Sequence, residues 1–173
     1  MKKNAFIASM VALALVVVAV GLLAIPFGFA SKVPYDYSGF EVIFHYGLRD
    51  GIDALGRNTP NARASVANII ALVFAALAVV SYAFNKKSTV LSLLGGICSG
   101  LAGLFFLSNE LWIAVAYKNA QLVLGWMTYV VGVILVVASV GTIFHAVKAL
   151  NEEKQVIETK QNYSYLKSNK KED

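Results

Sequence analysis

Glu41 and His45 are four residues apart in the stretch SGFEVIFHYGLRDG, and a carboxylate beside an imidazole can move protons. The stretch alternates, however, with Phe40, Val42, Phe44, Tyr46 and Leu48 on one side and Glu41, His45 and Arg49 among those on the other. That alternation predicts a half-buried strand, in which four residues span roughly 13 Å. The two groups are therefore not a dyad. The second histidine, His145, ends a long uncharged block, and about 30 Å of hydrocarbon would separate it from His45. A shared metal is excluded. Cys98 is the only cysteine, so it has neither a disulfide partner nor a zinc-ligand spacing, and it reads as a small apolar packing residue. The chain carries no Gly-rich phosphate loop, serine elbow or metalloprotease helix. No catalytic, cofactor-binding or metal-binding residue is expected, and the chain reads as a non-enzyme.

The elements that would hold these side chains are set by composition. Of 173 residues, 58% are hydrophobic and 14% charged, against about 25% charged in ordinary soluble domains. Formal charge is missing from residues 4–31, 64–85, 88–109 and, with His145 neutral, 119–147. Each block exceeds the roughly 20 residues that a helix needs to cross a bilayer core. Four transmembrane helices are predicted, near residues 5–25, 64–84, 89–107 and 122–147. Residues 1–150 then form the transmembrane domain and residues 151–173 a charged tail, expected to extend the fourth helix before fraying.

Charge at the block ends sets the orientation. Lys2 and Lys3 precede the first span, Lys86 and Lys87 fill the short turn between the second and third, and Lys148 opens the tail. The positive-inside rule places both termini in the cytoplasm and the loops 31–61 and 108–121 outside. The excess of five positive charges is accounted for by lysines facing anionic lipid, so no nucleic-acid partner is expected. Lys2-Lys3, the apolar stretch and Gly28-x-Ala30 also fit a cleavable signal peptide, although 21 apolar residues exceed a usual signal core of about 7 to 15. The uncleaved form, an integral protein of the plasma membrane, is the expectation.

Lipid tails are as apolar as leucine, so helices in a membrane associate through close packing and interhelical hydrogen bonds. Small residues at four-residue spacing mark the expected contact faces. The third span carries Ser92/Gly96/Gly100 and Gly95/Ser99/Gly103, the second Ala67/Ala71/Ala75, and the fourth Gly125, Thr128, Gly132 and Ser139. A four-helix bundle with the third span near its centre is expected, and Gly95, Gly96, Gly100, Gly103, Gly125 and Gly132 are its candidate packing residues. The four cores carry no charged side chain of the kind that proton and ion paths use. Asn68 and Gln121 are the main amides available for hydrogen bonds between helices or to headgroups.

The loop 31–61 is far longer than two neighbouring helix ends require, and it carries five aromatics, so a folded cap is expected. Ser38-Gly39 and Asp50-Gly51 bracket its strand with turn chemistry. LWIAVAY, residues 111–117, offers either a partner strand or a short interfacial helix anchored by Trp112. A small extracytoplasmic β-sheet over the bundle is the expected result. Its outward residues Glu41, His45, Arg49 and Trp112 form the candidate interaction surface.

Four spans, cytoplasmic ends, a long strand-bearing first outer loop, a short second one and LGWMTYVVGVILVVAS in the fourth span resemble the claudin-like tetraspan membrane proteins. The resemblance implies a left-handed four-helix bundle under an extracellular sheet, with interaction or barrier roles. The family's Trp, Gly-Leu-Trp and paired-cysteine signature is missing from the loop, so adhesion and paracellular roles are not carried over. The expected function is that of a structural or accessory component binding another membrane or extracytoplasmic protein, or a second copy of itself. A small transporter or channel subunit for a solute or lipid is the alternative.

Overall fold

The computed structural model describes residues 3–32, 35–44, 65–116 and 123–169. Four helices are long and apolar enough to cross a membrane: α1 (Lys3–Leu22), α3 (Val66–Ala83), α4 (Thr89–Leu107) and α6 (Trp126–Asn169). Between them lie β1 (Ala30–Lys32), β2 (Tyr35–Tyr37), α2 (Gly39–Phe44), α5 (Asn109–Ala116) and β3 (Val123–Leu124). A 3-10 turn, Asn85–Lys87, joins α3 to α4 at the opposite end of the bundle.

Each long helix buries one narrow seam. Along α1 the buried residues are Ala5, Ser9, Ala12, Val16 and Ala19, and along α3 they include Asn68, Ala71, Ala75, Ala78 and Tyr82. These steps alternate between three and four, the 3.5-residue repeat of coiled-coil packing. On α4 and α6 the seam widens to paired positions such as Gly95/Gly96 and Ala138/Ser139. The most extensive contact joins α4 to α6, followed by α3 with α4 and α1 with α6; the α1–α3 contact is thinner. Helix α4 touches all three others and has the most buried apolar window, so it lies nearest the bundle axis.

The ends of the helices explain where the spans depart from the predicted limits. The last turn of α1 tightens into i→i−3 bonds from Leu23, Ala24 and Ile25, and Pro26 has no N–H to continue it. Residues 123 and 124 are taken from the predicted fourth span by β3. Helix α6 therefore starts at Trp126, with the N–H of Met127 donating to the Gly28 carbonyl. Gly28 holds φ +78°, a left-handed conformation that only glycine adopts without strain, and a Cβ there would meet the Trp126 ring.

A three-stranded antiparallel sheet, ordered β2-β1-β3, does lie between the two long connections, but other residues build it. Ala30, Ser31 and Lys32 pair with Tyr37, Asp36 and Tyr35, and Ala30 and Ser31 pair with Leu124 and Val123. The stretch predicted as a strand from Phe40 is instead helical through Phe44, and its remainder lies outside the described residues. Ser38-Gly39-Phe40-Glu41 decides this. The Ser38 hydroxyl accepts from the Glu41 N–H at 3.2 Å, while the Glu41 carboxylate accepts from the Ser38 N–H at 2.8 Å. This reciprocal capping box starts a helix, and it outweighs an alternation that fits both structures. Phe40 and Phe44 then stack at 6.3 Å, one helical turn apart. Residues 111–116 are helical as well, within α5, so of the two readings for that stretch the helix holds and the partner strand falls.

Candidate functional site

Polar side chains concentrate at both ends of the bundle. At the sheet-bearing end, the Asn68 amide donates to Asn109 at 2.6 Å, and the Asn109 amide donates to the Thr128 hydroxyl at 2.7 Å. All three are fully buried. Since Asn68 is in the first turn of α3, Asn109 begins α5 and Thr128 is in the first turn of α6, one hydrogen-bonded chain ties three helix starts together. A buried amide without a partner is costly, so each member depends on the others. Among the described residues, the buried Asn68 Oδ1 and Ser65 Oγ atoms have no hydrogen-bond partner of their own.

Above this chain, the four candidate surface residues divide. Glu41 is 4% exposed and serves the α2 cap, so it is not the outward-facing charge that alternation implied. His45 and Arg49 lie outside the described residues. Trp112 is half-buried; its indole N–H donates to the Ser108 hydroxyl at 2.9 Å, and its ring tilts against Phe105. Among the described residues, the apolar side chains exposed at this end include Phe27, Phe44, Val66, Leu111, Val123 and Trp126. Beside them, the Tyr129 hydroxyl donates to the Glu110 carboxylate on the surface.

The candidate packing glycines sit where backbones approach. A Cβ on Gly95 would lie 2.6 Å from the Tyr82 ring, one on Gly96 2.7 Å from Ile143, and one on Gly100 2.6 Å from the Ser139 hydroxyl. On Gly103 it would meet Val136 at 2.8 Å and the Gly132 carbonyl at 2.9 Å, and on Gly132 it would meet Leu107 at 2.7 Å. Gly125 packs directly on the Gly28 carbonyl, within the junction where Gly125 N–H donates to Phe29. Ser99 adds a tether at this seam, its hydroxyl donating to the Leu135 carbonyl of α6 at 2.8 Å.

At the turn end, the Ser9 hydroxyl donates to Ser92 at 2.8 Å, joining α1 to α4, and Thr89 donates to Glu153 of α6 at 3.1 Å. Asn85 is fully buried and, among the described residues, neither end of its amide has a hydrogen-bond partner, while the Tyr82 hydroxyl is buried without a well-placed one. Between Asn68 and Ser81 the buried face of α3 consists of alanines alone, which separates the two polar ends. Cys98 is a buried free thiol in α4, and His145 is half-buried with its ring edge-on to Phe144. Gln121 lies outside the described residues. Among the described residues no three His, Cys, Asp or Glu side chains gather as a metal site.

No known protein family, characterised protein or solved structure matches this chain.

Three groups have roles other than those expected of them from sequence, where Ser38 is a turn residue, Glu41 an outward charge and Thr128 a member of a packing seam. Ser38 and Glu41 had a legible signature, since Ser-x-x-Glu before an apolar run is a capping box. Asn109 and Thr128 had none, because their link to Asn68 joins positions 41 and 60 residues away. Asn85 stands beside Lys86 and Lys87, and a polar run of that kind between two apolar blocks reads as a solvated turn.

Proposed function

We propose that this chain is a non-enzymatic integral membrane protein that acts as a structural or accessory component, binding another membrane or extracytoplasmic protein through its sheet-bearing end. In this reading both termini are cytoplasmic, the turn Asn85–Lys87 faces the cytoplasm, and the sheet, α2 and α5 lie outside the plasma membrane. The claudin-like architecture fits that placement without supplying a functional residue.

The observation that carries the proposal is how the interior polar groups are used. Ser9 is bonded to Ser92, Asn109 to both Asn68 and Thr128, and Ser99 to the α6 backbone, so they lock helices to one another. A solute path needs polar groups turned toward a continuous opening. The exposed Phe27, Phe44, Leu111, Val123 and Trp126 provide apolar surface around the sheet, where a partner or the bilayer interface would cover it.

Recovery of the full chain from membranes in a gentle detergent tests the proposal. A stoichiometric partner that is lost on Phe44→Glu, with the bundle's thermal midpoint unchanged, is the expected outcome. Lone protein that passes solute into liposomes would replace the accessory reading with the transporter one.

A further inference from the structure

We propose that the N-terminus of α3 holds one internal water molecule, bound by the Ser65 hydroxyl, the Asn68 amide oxygen and an N–H of the first helical turn. The site depends on local hydrogen-bonding chemistry, and neither the membrane placement nor the partner enters it.

Ser65 and Asn68 take the N-cap and N3 positions of α3, the spacing at which Ser38 and Glu41 close a capping box on α2. At α3 the box is open. The Ser65 N–H, to which an N3 side chain would bond in a closed box, donates instead to the Ile43 carbonyl of α2 at 3.0 Å. The Asn68 amide is drawn another way, its Nδ2 donating to Asn109 at 2.6 Å. The Ser65 hydroxyl makes no capping bond to the helix. Two tertiary contacts thus hold the arms of the box apart, and among the described residues they leave Ser65 Oγ and Asn68 Oδ1 without a partner. Ser65 is 2% exposed and Asn68 0%, so bulk water does not reach either atom freely. Side chains three apart on a helix stand roughly 5 to 6 Å from one another at Cβ, a span that one water bridges.

What the site offers selects its ligand. Asn68 Oδ1 only accepts, and the bond from Nδ2 to Asn109 fixes which way the amide faces. Ser65 Oγ both donates and accepts. The N–H groups of Ala67 and Asn68 precede the first bond of the helix ladder, from Ile69 to the Ser65 carbonyl, and they only donate. An anion would suit these N–H groups and the positive end of the helix, but it would be repelled by the Asn68 oxygen. A cation would suit the oxygens and be repelled by the N–H groups. Water satisfies both kinds, accepting from an N–H while donating to Asn68. Buried waters make about three hydrogen bonds to protein groups that otherwise have none, which is the number available here. Val66, next to Ser65, is exposed, so solvent lies one residue away.

The bound water also extends a network. Ser65 is bonded to α2, and Asn68 through Asn109 to Thr128, so the water completes a line of hydrogen bonds from α2 through α3 and α5 to α6.

A structure of the full chain at a resolution that shows ordered solvent tests the site. One density peak is expected within about 3.2 Å of both Ser65 Oγ and Asn68 Oδ1. No peak there, or a protein group bonded directly to either atom in its place, overturns the proposal. Thermal unfolding of Ser65→Ala in mild detergent gives a second reading by its sign. Loss of a hydroxyl that binds water should lower the midpoint, by about 2 to 4 °C for one hydrogen bond in a chain of this size. Removal of an orphaned hydroxyl would instead relieve a cost, so a midpoint that rises or stays where it was overturns the site as well.

Discussion

The α4–α6 and α1–α3 seams are both built of small and apolar residues and close to very different extents. On the first, Gly96, Gly100, Gly103 and Gly132 bring the helices so near that a single added carbon would strike Ile143, Ser139, Val136 or Leu107. On the second, alanines and a valine close a narrow line and leave a groove beside it. The glycine of α1, Gly21, has open space around it. In the proposed membrane placement, burial of apolar surface cannot account for the difference, because lipid would solvate a valine as well as another helix does. What distinguishes the seams is the absence of Cβ atoms at the crossing and a tether across it, the Ser99 hydroxyl on the Leu135 carbonyl. The lesson is that, in an apolar solvent, contact is set by how near the backbones can come.

The comparison breaks most readily at Gly103. An alanine there would press on the Gly132 carbonyl and on Val136, both on the α6 backbone or close to it. We expect Gly103→Ala to destabilise the bundle by about 1 to 3 kcal/mol, and Gly103→Leu to cost more than about 3 kcal/mol or prevent assembly. Thermal unfolding in mild detergent reads the effect. An unchanged midpoint for Gly103→Leu would mean that α4 and α6 do not cross there.

Next in size is Asn109→Ala, which removes the middle of the chain from Asn68 to Thr128. It leaves a buried amide and a buried hydroxyl without that partner, for a loss of about 1 to 3 kcal/mol. A double-mutant cycle with Asn68→Ala should show strong coupling, since the first change already deprives Asn68 of its acceptor. Additive losses would separate the two residues.

The amide at the other end supplies the opposite sign. Asn85 is fully buried with both amide atoms unpartnered among the described residues, so Asn85→Leu should raise stability by about 1 kcal/mol. A fall in the unfolding midpoint would show that Asn85 holds a polar partner, such as a buried water, that protein atoms do not provide.

These positions also show why parts of the structure were legible in the sequence and parts were not. The long helices were readable because four uncharged blocks of membrane-crossing length have few other physical fates, and Thr89–Leu107 matches the predicted span at both ends. Limits set by local chemistry were readable less well: α1 stops short of Ile25 at its i→i−3 turn before Pro26, and α6 yields residues to β3. Phe40, Val42 and Phe44 fit a strand and a short helix alike, and only Ser38 with Glu41 decides between them. The sheet was expected between the two connections, yet strands of two and three residues are too short to carry an alternation of their own. Asn68 was visible as an amide without a known partner; its acceptor is in α5, a helix whose tertiary position no periodicity encodes.

The smallest expected effect is the sharpest control on the two seams. Gly141 is on α6, the same helix as Gly132, but among the described residues no atom beyond its own helical backbone and chain neighbours lies within 4 Å of a Cβ built on it. It has no packing role, so only the intrinsic cost of glycine in a helix remains, and Gly141→Ala should stabilise by up to about 1 kcal/mol. Gly132→Ala, on the same helix, would press its added methyl on Leu107 and the Gly103 carbonyl and should destabilise. Identical chemistry with opposite signs would locate the contact on one face of α6. If both alanines shift the unfolding midpoint in the same direction, backbone propensity rather than interhelical distance governs this bundle, and the distinction between its closed and open seams fails with it.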